Sequence, residues 1–403
     1  MNDLFAELGL RRVINACGYV TALGASPVSD EVVAAVAGIL GHNVEMSDLQ
    51  RAASETIARW SGSEAGCVTA CAASGIAVGI AGAITGEDLA HIERLPHEPG
   101  PKNEVIVQKG HCVDYSGNIT QMIHITGAKP VEIGSVNGCG AYQLAGAITE
   151  RTAAALYVLS GQAPQGGFID LETFCRIAHE RGVPVILDAA TDYDLRPFVA
   201  AGADLIIQSG HKRLGGLTAG IIAGKERYVR AAYMQERGIG RAMKVGKEGV
   251  VGVIAALRRD SALDHKAVYA RERARLDVIV ERLKGVPGIS VAIVPDTTGK
   301  PLSRARIHVD PGRAGVTAHA IARRLAEGEP SIKVEDYGSA HGALGIEPTC
   351  VSERDVETIC ERIAEIVRTG AQGTPAQSSE TFDDRRHRLL RTWPRRIPGG
   401  PQA

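Results

Sequence analysis

A chain of 403 residues with 44% hydrophobic side chains has the material for one large domain and a smaller one. Its 45 basic and 46 acidic side chains nearly cancel, which excludes a global field favouring nucleic acid or membrane. Aromatics are 4% against 47 glycines, which favours close-packed helices and backbone-lined sites over aromatic stacking platforms.

In chain order, the start MNDLFAELGLRR lacks the basic head and apolar core of a signal peptide. No run reaches the roughly 18 uninterrupted apolar residues of a membrane helix, so a cytoplasmic location is expected. Residues 11–30 read as a loop-rich lead-in, with Ser29 or Asp30 placed to start a helix. A second helix is expected over 47–61. From residue 65 an α/β rhythm sets in. Short apolar strands are predicted at 66–69, 104–108, 129–133, 153–159, 183–188 and 203–208, of the kind covered on both faces. Helices are predicted near 74–84, 115–126, 170–181 and 195–201. Residues 225–282 turn helical and more charged. A smaller α/β unit then restarts, with strands at 289–294 and 303–309 and helices at 317–326 and 351–367. The tail from Thr369 is rich in Gly, Pro, Gln, Ser and Arg, and both disorder and a partner-bound arm fit it. The expected division is an N-terminal segment 1–50, a large domain 51–270, a small domain 271–368 and a flexible tail 369–403.

The eight cysteines form no CxxC pair and read as small buried hydrophobes. Cys67 and Cys71 have the spacing of one helical face. No HExxH and no dense carboxylate–histidine cluster appears, so no metal is expected. GxGxxG is absent after the first strands, and so is the serine elbow GxSxG.

The most informative residue is Lys212, in Ser209-Gly210-His211-Lys212-Arg213-Leu214-Gly215-Gly216 between two apolar runs. Upstream, Val185-Ile186-Leu187-Asp188 ends a strand in a carboxylate. A Schiff-base lysine and a carboxylate for the pyridine nitrogen are the two groups that pyridoxal 5'-phosphate most needs. Thr69-Ala70-Cys71-Ala72-Ala73-Ser74-Gly75 joins a strand to a small-residue helix, whose N-terminus can receive a phosphate. The alternative is a close-packed strand–helix turn. Ser74 and Ser209 offer further hydroxyl donors. His111, at the exit of strand 104–108, is placed to lie over the cofactor ring or to be a satisfied core histidine. Gln162 follows another strand and can face the cofactor O3'. His211 is either a proton-transfer group or a packing residue.

At this point the chain resembles the fold-type I pyridoxal-phosphate enzymes, and within them the selenocysteine synthase and D-glucosaminate-6-phosphate ammonia-lyase group. The resemblance rests on INACGYVTALGASP at 14–27, VTACAASGIAVGIAG at 68–82, VPVILDAATD at 183–192, SGHKRLGGLTAGIIAGK at 209–225, GIGRAMKVGKEGVVGVIAAL at 238–257 and HGALGIEPTCVSERDVETICERIAEI at 341–366. It implies an α/β fold with a mainly parallel large-domain sheet and a smaller C-terminal α/β domain. It implies Lys212 as the Schiff-base residue, Asp188 at the pyridine nitrogen and residues 71–75 at the phosphate. Arg241, Lys244 and Lys247 look like the basic segment that approaches an active site across a subunit boundary, so a homodimer or higher homo-oligomer is implied. The near-neutral charge and the lack of an evident tRNA-binding domain disfavour selenium transfer.

The leading chemical reading is an ammonia-lyase that carries out α,β-elimination on a small amino acid or amino sugar acid. Lys212 would take the α-proton, and His111, His211 or Tyr19 would assist the leaving group. Arg304 lies on a small-domain strand, where it can clamp a substrate carboxylate or face solvent. Racemisation, needing a second acid such as His111 or Cys17, and a non-catalytic oligomeric scaffold stay open as alternatives.

Overall fold

The computed structural model describes residues 4–164 and 166–370. The first part of the chain forms α1 (Leu4–Glu7), β1 (Val13–Ala16), α2 (Asp30–Leu40), α3 (Met46–Ser61), β2 (Ala65–Thr69), α4 (Ala72–Thr85), α5 (Leu89–Arg94), β3 (Glu104–Gln108) and α6 (Ile119–His124). The middle forms β4 (Lys129–Ile133), α7 (Ala141–Ala147), β5 (Thr152–Val158), α8 (Leu171–His179), β6 (Val185–Asp188), α9 (Arg196–Ala200), β7 (Leu205–Ser209), β8 (Gly220–Gly224) and α10 (Glu226–Met234). The rest forms α11 (Lys247–Ala262), α12 (His265–Leu283), β9 (Ile289–Pro295), β10 (Ser303–Val309), α13 (Pro311–Ala314), α14 (Ala318–Glu327), β11 (Ser331–Val334), β12 (Ala343–Ile346) and α15 (Glu353–Thr369). Thr369 thus still belongs to α15, and residues 371–403, most of the expected tail, lie outside the described residues. No described helix is long and apolar enough to cross a membrane.

The chain divides into two compact units, residues 25–263 and the described parts of 1–24 and 264–403. Unit 25–263 is built on a seven-stranded sheet in the order β2-β8-β7-β6-β5-β3-β4. β8 runs antiparallel to both β2 and β7, and the other neighbours are parallel. The central strands are buried along their length, because helices cover both faces of a mainly parallel sheet. One layer packs α4 with Ile76, Ile80 and Ile84 against Leu156, Ile186 and Ile207. The other packs Ile57 of α3 and Val250, Val253 and Leu257 of α11 against Val68, Ile206 and Ile221. This is the α/β architecture that the alternating pattern leads one to expect.

Both margins of this sheet are closed by side-chain chemistry. β2 is an edge strand with outward backbone groups that need partners. Gln50 of α3 supplies them: its Nε2 donates to Val68 O at 2.8 Å, and its Oε1 accepts from Val68 N at 3.0 Å. Ser54 Oγ accepts from Gly66 N at 3.0 Å. At the opposite margin β4 carries Pro130, which has no N–H to offer.

The other unit holds a three-stranded antiparallel sheet, β12-β10-β9, and a parallel pair of β1 with β11. Ile279 of α12, Ile321 of α14 and Ile359 and Ile363 of α15 share one core with Ile307 and Ile332. Residues 13–16 were expected within a loop-rich lead-in but form β1. The partner that makes them a strand is remote, with Val13 beside Ser331.

Two further expectations change. Cys67 lies in β2 and Cys71 is the N-cap of α4, so they do not share a helical face. The helix expected over 115–126 is only Ile119–His124, because residues 113–118 form a tight turn and Asn118 caps the helix through Thr120 N. Gln50 generates a prediction. Gln50→Met keeps the volume but leaves both Val68 backbone groups buried without partners, and should cost about 2–4 kcal/mol. Urea unfolding of the two proteins measures it.

Candidate functional site

The sheet of unit 25–263 brings the sequence-selected groups to one edge. β2, β3, β5, β6 and β7 end there, and the antiparallel β8 begins there. In open α/β sheets the carboxyl ends of the strands are where ligands bind. Thr69 and Ser209 both stand opposite Gly220 in register, Asp188 stands opposite Ile207, and Val158 stands opposite Asp188. Asp188 is buried, and its Oδ1 accepts from Ala190 N at 3.2 Å.

Lys212 sits half-buried in the turn between β7 and β8. Gly210 N donates to Ala219 O at 2.8 Å and Gly216 N to Gly210 O at 2.9 Å, closing the base of that turn. Its carbonyls are held from outside the motif. Ser26 Oγ lies 2.8 Å from both His211 O and Lys212 O. Ala25, just before it, takes φ of 60°, unusual for a residue with a side chain. Ser26 was missed as a site-building residue; the only signal was its place at the end of the 14–27 segment. Arg213 stacks on Tyr193, with the guanidinium carbon 4.7 Å from the ring centroid.

The turn into α4 is closed partly on itself. Cys71 Sγ accepts from Ser74 N at 3.4 Å, and Cys71 N donates to Ser74 Oγ at 2.9 Å. The Ser74 hydroxyl donates to Cys71 O at 2.7 Å, so its proton is committed and the expectation of a spare donor at Ser74 gives way. Gly75 N bonds Cys71 O. The amides left for an anion are those of Ala72 and Ala73, at the positive end of the helix dipole. Small residues are required here by contact: a Cβ on Gly75 would meet Ile207 Cγ2 at 3.0 Å.

His211 is where the structure asks for a ligand. Ser209 Oγ lies 3.1 Å from His211 Nδ1, and both residues are buried. His211 Nε2 is buried with no hydrogen-bond partner among the described residues. Burial, and next the charge of Lys212, lower its pKa and hold the ring neutral. In the tautomer where the serine hydroxyl donates to Nδ1, Nε2 carries the ring's one hydrogen and is a donor without an acceptor. Such a group costs about 1–3 kcal/mol, which a bound anion would offset.

His111 differs in that its acceptor nitrogen is occupied. Its Nδ1 accepts from Val158 N at 3.2 Å, which only an unprotonated Nδ1 can do. Nε2 therefore carries the hydrogen and faces Gln108 Nε2 at 3.5 Å. That amide is itself fixed as a donor, because Gln108 Oε1 accepts from Ile169 N at 3.0 Å. A charged ring would aim N–H groups at two N–H donors. Burial alone pushes the His111 pKa down to about 4. Tyr157 meets the ring edge-on at 4.6 Å and Phe168 lies 5.6 Å away.

The remaining selected residues scatter. Gln162 is exposed on the loop after β5. Arg241 and Lys244 are exposed, whereas Lys247 Nζ donates to Leu40 O at 2.8 Å and to His42 O, capping the end of α2 within its own chain. Tyr19 and Arg304 belong to the other unit. Arg304 is already engaged by three carboxylates, Asp296 at 2.8 Å and Glu335 and Glu347 at 3.3 Å, so it is an internal ion-pair hub rather than an open clamp.

The group this edge fits is pyridoxal 5'-phosphate: an unpartnered buried ring nitrogen at His211, an amide pair on α4, a lysine in the β7–β8 turn and a carboxylate at the end of β6. Residues 13–272 match the family profile described as SelA, L-seryl-tRNA selenium transferase, more than half of the chain. The chain belongs to this family. The SelA-family chain is 36% identical over 369 residues to the D-glucosaminate-6-phosphate ammonia lyase of Salmonella typhimurium, covering 92% of this chain and 99% of that one. It is 36% identical over 365 residues to a 5'-C-glycyluridine monooxygenase-decarboxylase from Streptomyces, covering 90% and 92%. A solved structure of D-glucosaminate-6-phosphate ammonia-lyase superposes with a TM-score of 0.84, covering 92% of this chain and 100% of that one. Serine palmitoyltransferase of Sphingomonas wittichii, at 14% identity and a TM-score of 0.56, shares the fold alone. The SelA-family chain is thus a fold-type I pyridoxal-phosphate enzyme by family and architecture.

The state of His111 sets a pH dependence. Its folded pKa of about 4 lies below the ordinary 6.5, so the unfolded chain binds this proton first. The contribution is complete above pH 6.5 and is lost as pH falls through about 4. It amounts to about 3 kcal/mol at most. Urea midpoints between pH 7 and 4 should fall less steeply for His111→Gln than for wild type.

Proposed function

We propose that this chain is a pyridoxal-phosphate-dependent ammonia-lyase acting on a small amino acid or amino sugar acid, releasing ammonia and a 2-oxo acid. The observation that carries the reading is the convergence of Lys212, Asp188 and the Ala72–Ala73 amides on one sheet edge. The full-length similarity to an ammonia lyase supports the reaction class. The bound cofactor supplies an electron sink for charge developing at the substrate's α-carbon. Lys212 would hold the cofactor covalently and would supply the amine that takes the α-proton. Asp188 keeps the ring nitrogen protonated through a charge-assisted hydrogen bond. The His211 Nε2–H and the amides of Ala72 and Ala73 receive the phosphate, which favours a binding role for His211 over a proton-transfer one. Ser26 fixes the Lys212 carbonyl and so limits the directions from which its amine approaches.

His111 would lie against the cofactor ring as a neutral plate. Its one acceptor is used by Val158, so it has no site for a proton in flight. This speaks for elimination over racemisation, which needs a second acid. Gln162, on the loop after β5, would be the residue to face the cofactor O3', and Arg241 and Lys244 would supply cations for an anionic substrate by way of a neighbouring subunit.

The test begins with the visible absorption of the purified protein. Borohydride reduction and peptide mapping should place a pyridoxyl adduct on Lys212. Lys212→Ala should remove the adduct and lower turnover by about 10²–10⁴-fold. Without dioxygen, D-glucosaminate 6-phosphate or a related amino acid should yield ammonia and a 2-oxo acid. A strict dioxygen requirement would favour chemistry of the kind named for the Streptomyces relative. Inverted substrate with no keto acid would establish the racemase.

We also propose a homo-oligomer. Beyond Asp30 and Glu31, α2 reads VVAAVAGIL and is apolar all round, yet Val33 and Leu40 are more than half exposed. A second copy covering this face explains the composition. Light scattering should return a dimer or larger, and Val33→Glu with Leu40→Glu should shift it toward the monomer.

A further inference from the structure

Tyr115 carries a second orphan in unit 25–263. Its hydroxyl oxygen is buried and has no hydrogen-bond partner among the described residues. The ring packs against the same core cluster as Ala72, the residue whose amide opens α4. Asp188 and Cys71 both lie within electrostatic reach of the phenol. Its backbone is fixed by a tight turn. Asp114 Oδ1 accepts from Ser116 N at 2.9 Å, Tyr115 N donates to Gly117 O at 3.3 Å, and Asp114 bridges to Asn118. Ser116 holds φ of 86°, a left-handed conformation that costs energy for a residue with a side chain.

A phenol without a partner is an expensive way to fill a core. Phenylalanine would fill the same space without a stranded donor. Burial, with Asp188, Cys71 and Asp114 adding negative charge, raises its pKa and keeps it a donor. It cannot accept a proton as a base, and it makes no bond to Asp188, which serves the ring nitrogen. The acceptor that the Cys71 turn would bring within reach is a phosphate.

We propose that Tyr115 is a cofactor-binding residue whose hydroxyl donates to the phosphate of bound pyridoxal phosphate, an inference that rests on the cofactor reading above. Tyr115→Phe removes one hydrogen bond to a dianion. It should weaken pyridoxal phosphate binding roughly 10- to 100-fold. Binding of pyridoxal, which lacks the phosphate, should be unchanged. The cofactor-free variant should be at least as stable as cofactor-free wild type, since the hydroxyl has no partner within the chain. Equal losses for both ligands, unchanged binding of both, or a destabilised cofactor-free variant would each overturn the assignment. Wild type that fails to bind pyridoxal phosphate at all would remove the cofactor reading itself, an outcome read before any variant is made.

Discussion

Residue 220 has to be glycine because a Cβ there would fall 2.2 Å from Cys71 O and 2.4 Å from Thr69 Oγ1. No side chain survives such contacts, and no repacking relieves them, since the nearest obstacle is backbone. The close approach ties three strand ends together. Gly220 faces Thr69 on one side and Ser209 on the other, so the turn into α4 and the turn bearing Lys212 are held beside one another. From that juxtaposition the rest follows. Ser209 leads to His211, and the α4 amides and the histidine donor come to share one edge. A methyl group at position 220 would push apart the elements that the chemistry needs adjacent.

The electrostatic layout divides charged from uncharged groups. Both imidazoles at this edge are held neutral, chiefly by burial. They differ in what their nitrogens meet. His111 gives up its acceptor to a backbone amide and becomes a rigid neutral surface. His211 leaves its Nε2 without a partner among the described residues, and Tyr115 leaves its hydroxyl so. Charge at the edge is thereby left to Lys212 and Asp188 among the sequence-selected residues, while hydrogen-bond capacity for an anion comes from neutral donors. Neutral donors bind a phosphate without adding further positive charge to that of Arg213 beside the lysine, which would otherwise lower its basicity.

Much of this was legible in the sequence. The strands at 104–108, 129–133 and 303–309 stand where apolar runs and their flanks put them, because each is short, continuous and bounded by turn residues. Lys212 and Asp188 were legible as punctuation at strand ends. β1, β11 and β12 were not, since each has four residues and acquires its identity from a partner far away in the chain. Ser26 was hidden for the same reason, as its hydroxyl acts 185 residues downstream. Ser74 misled because a hydroxyl beside a helix start suggests a donor for ligand, whereas local geometry returns its proton to the Cys71 carbonyl. Arg304 misled because its place on a strand says nothing of the three carboxylates that surround it.

The closed margins of the seven-stranded sheet have a consequence for how copies of this chain can meet. With the β2 backbone occupied by a glutamine and a serine, and β4 carrying a proline, both borders resist extension by a strand from another molecule. Growth by strand addition, the geometry that leads to open-ended fibres, is disfavoured at both borders of this sheet. What the unit offers to a neighbour is the outer surface of its helices, where contacts are local, discrete and able to close on themselves.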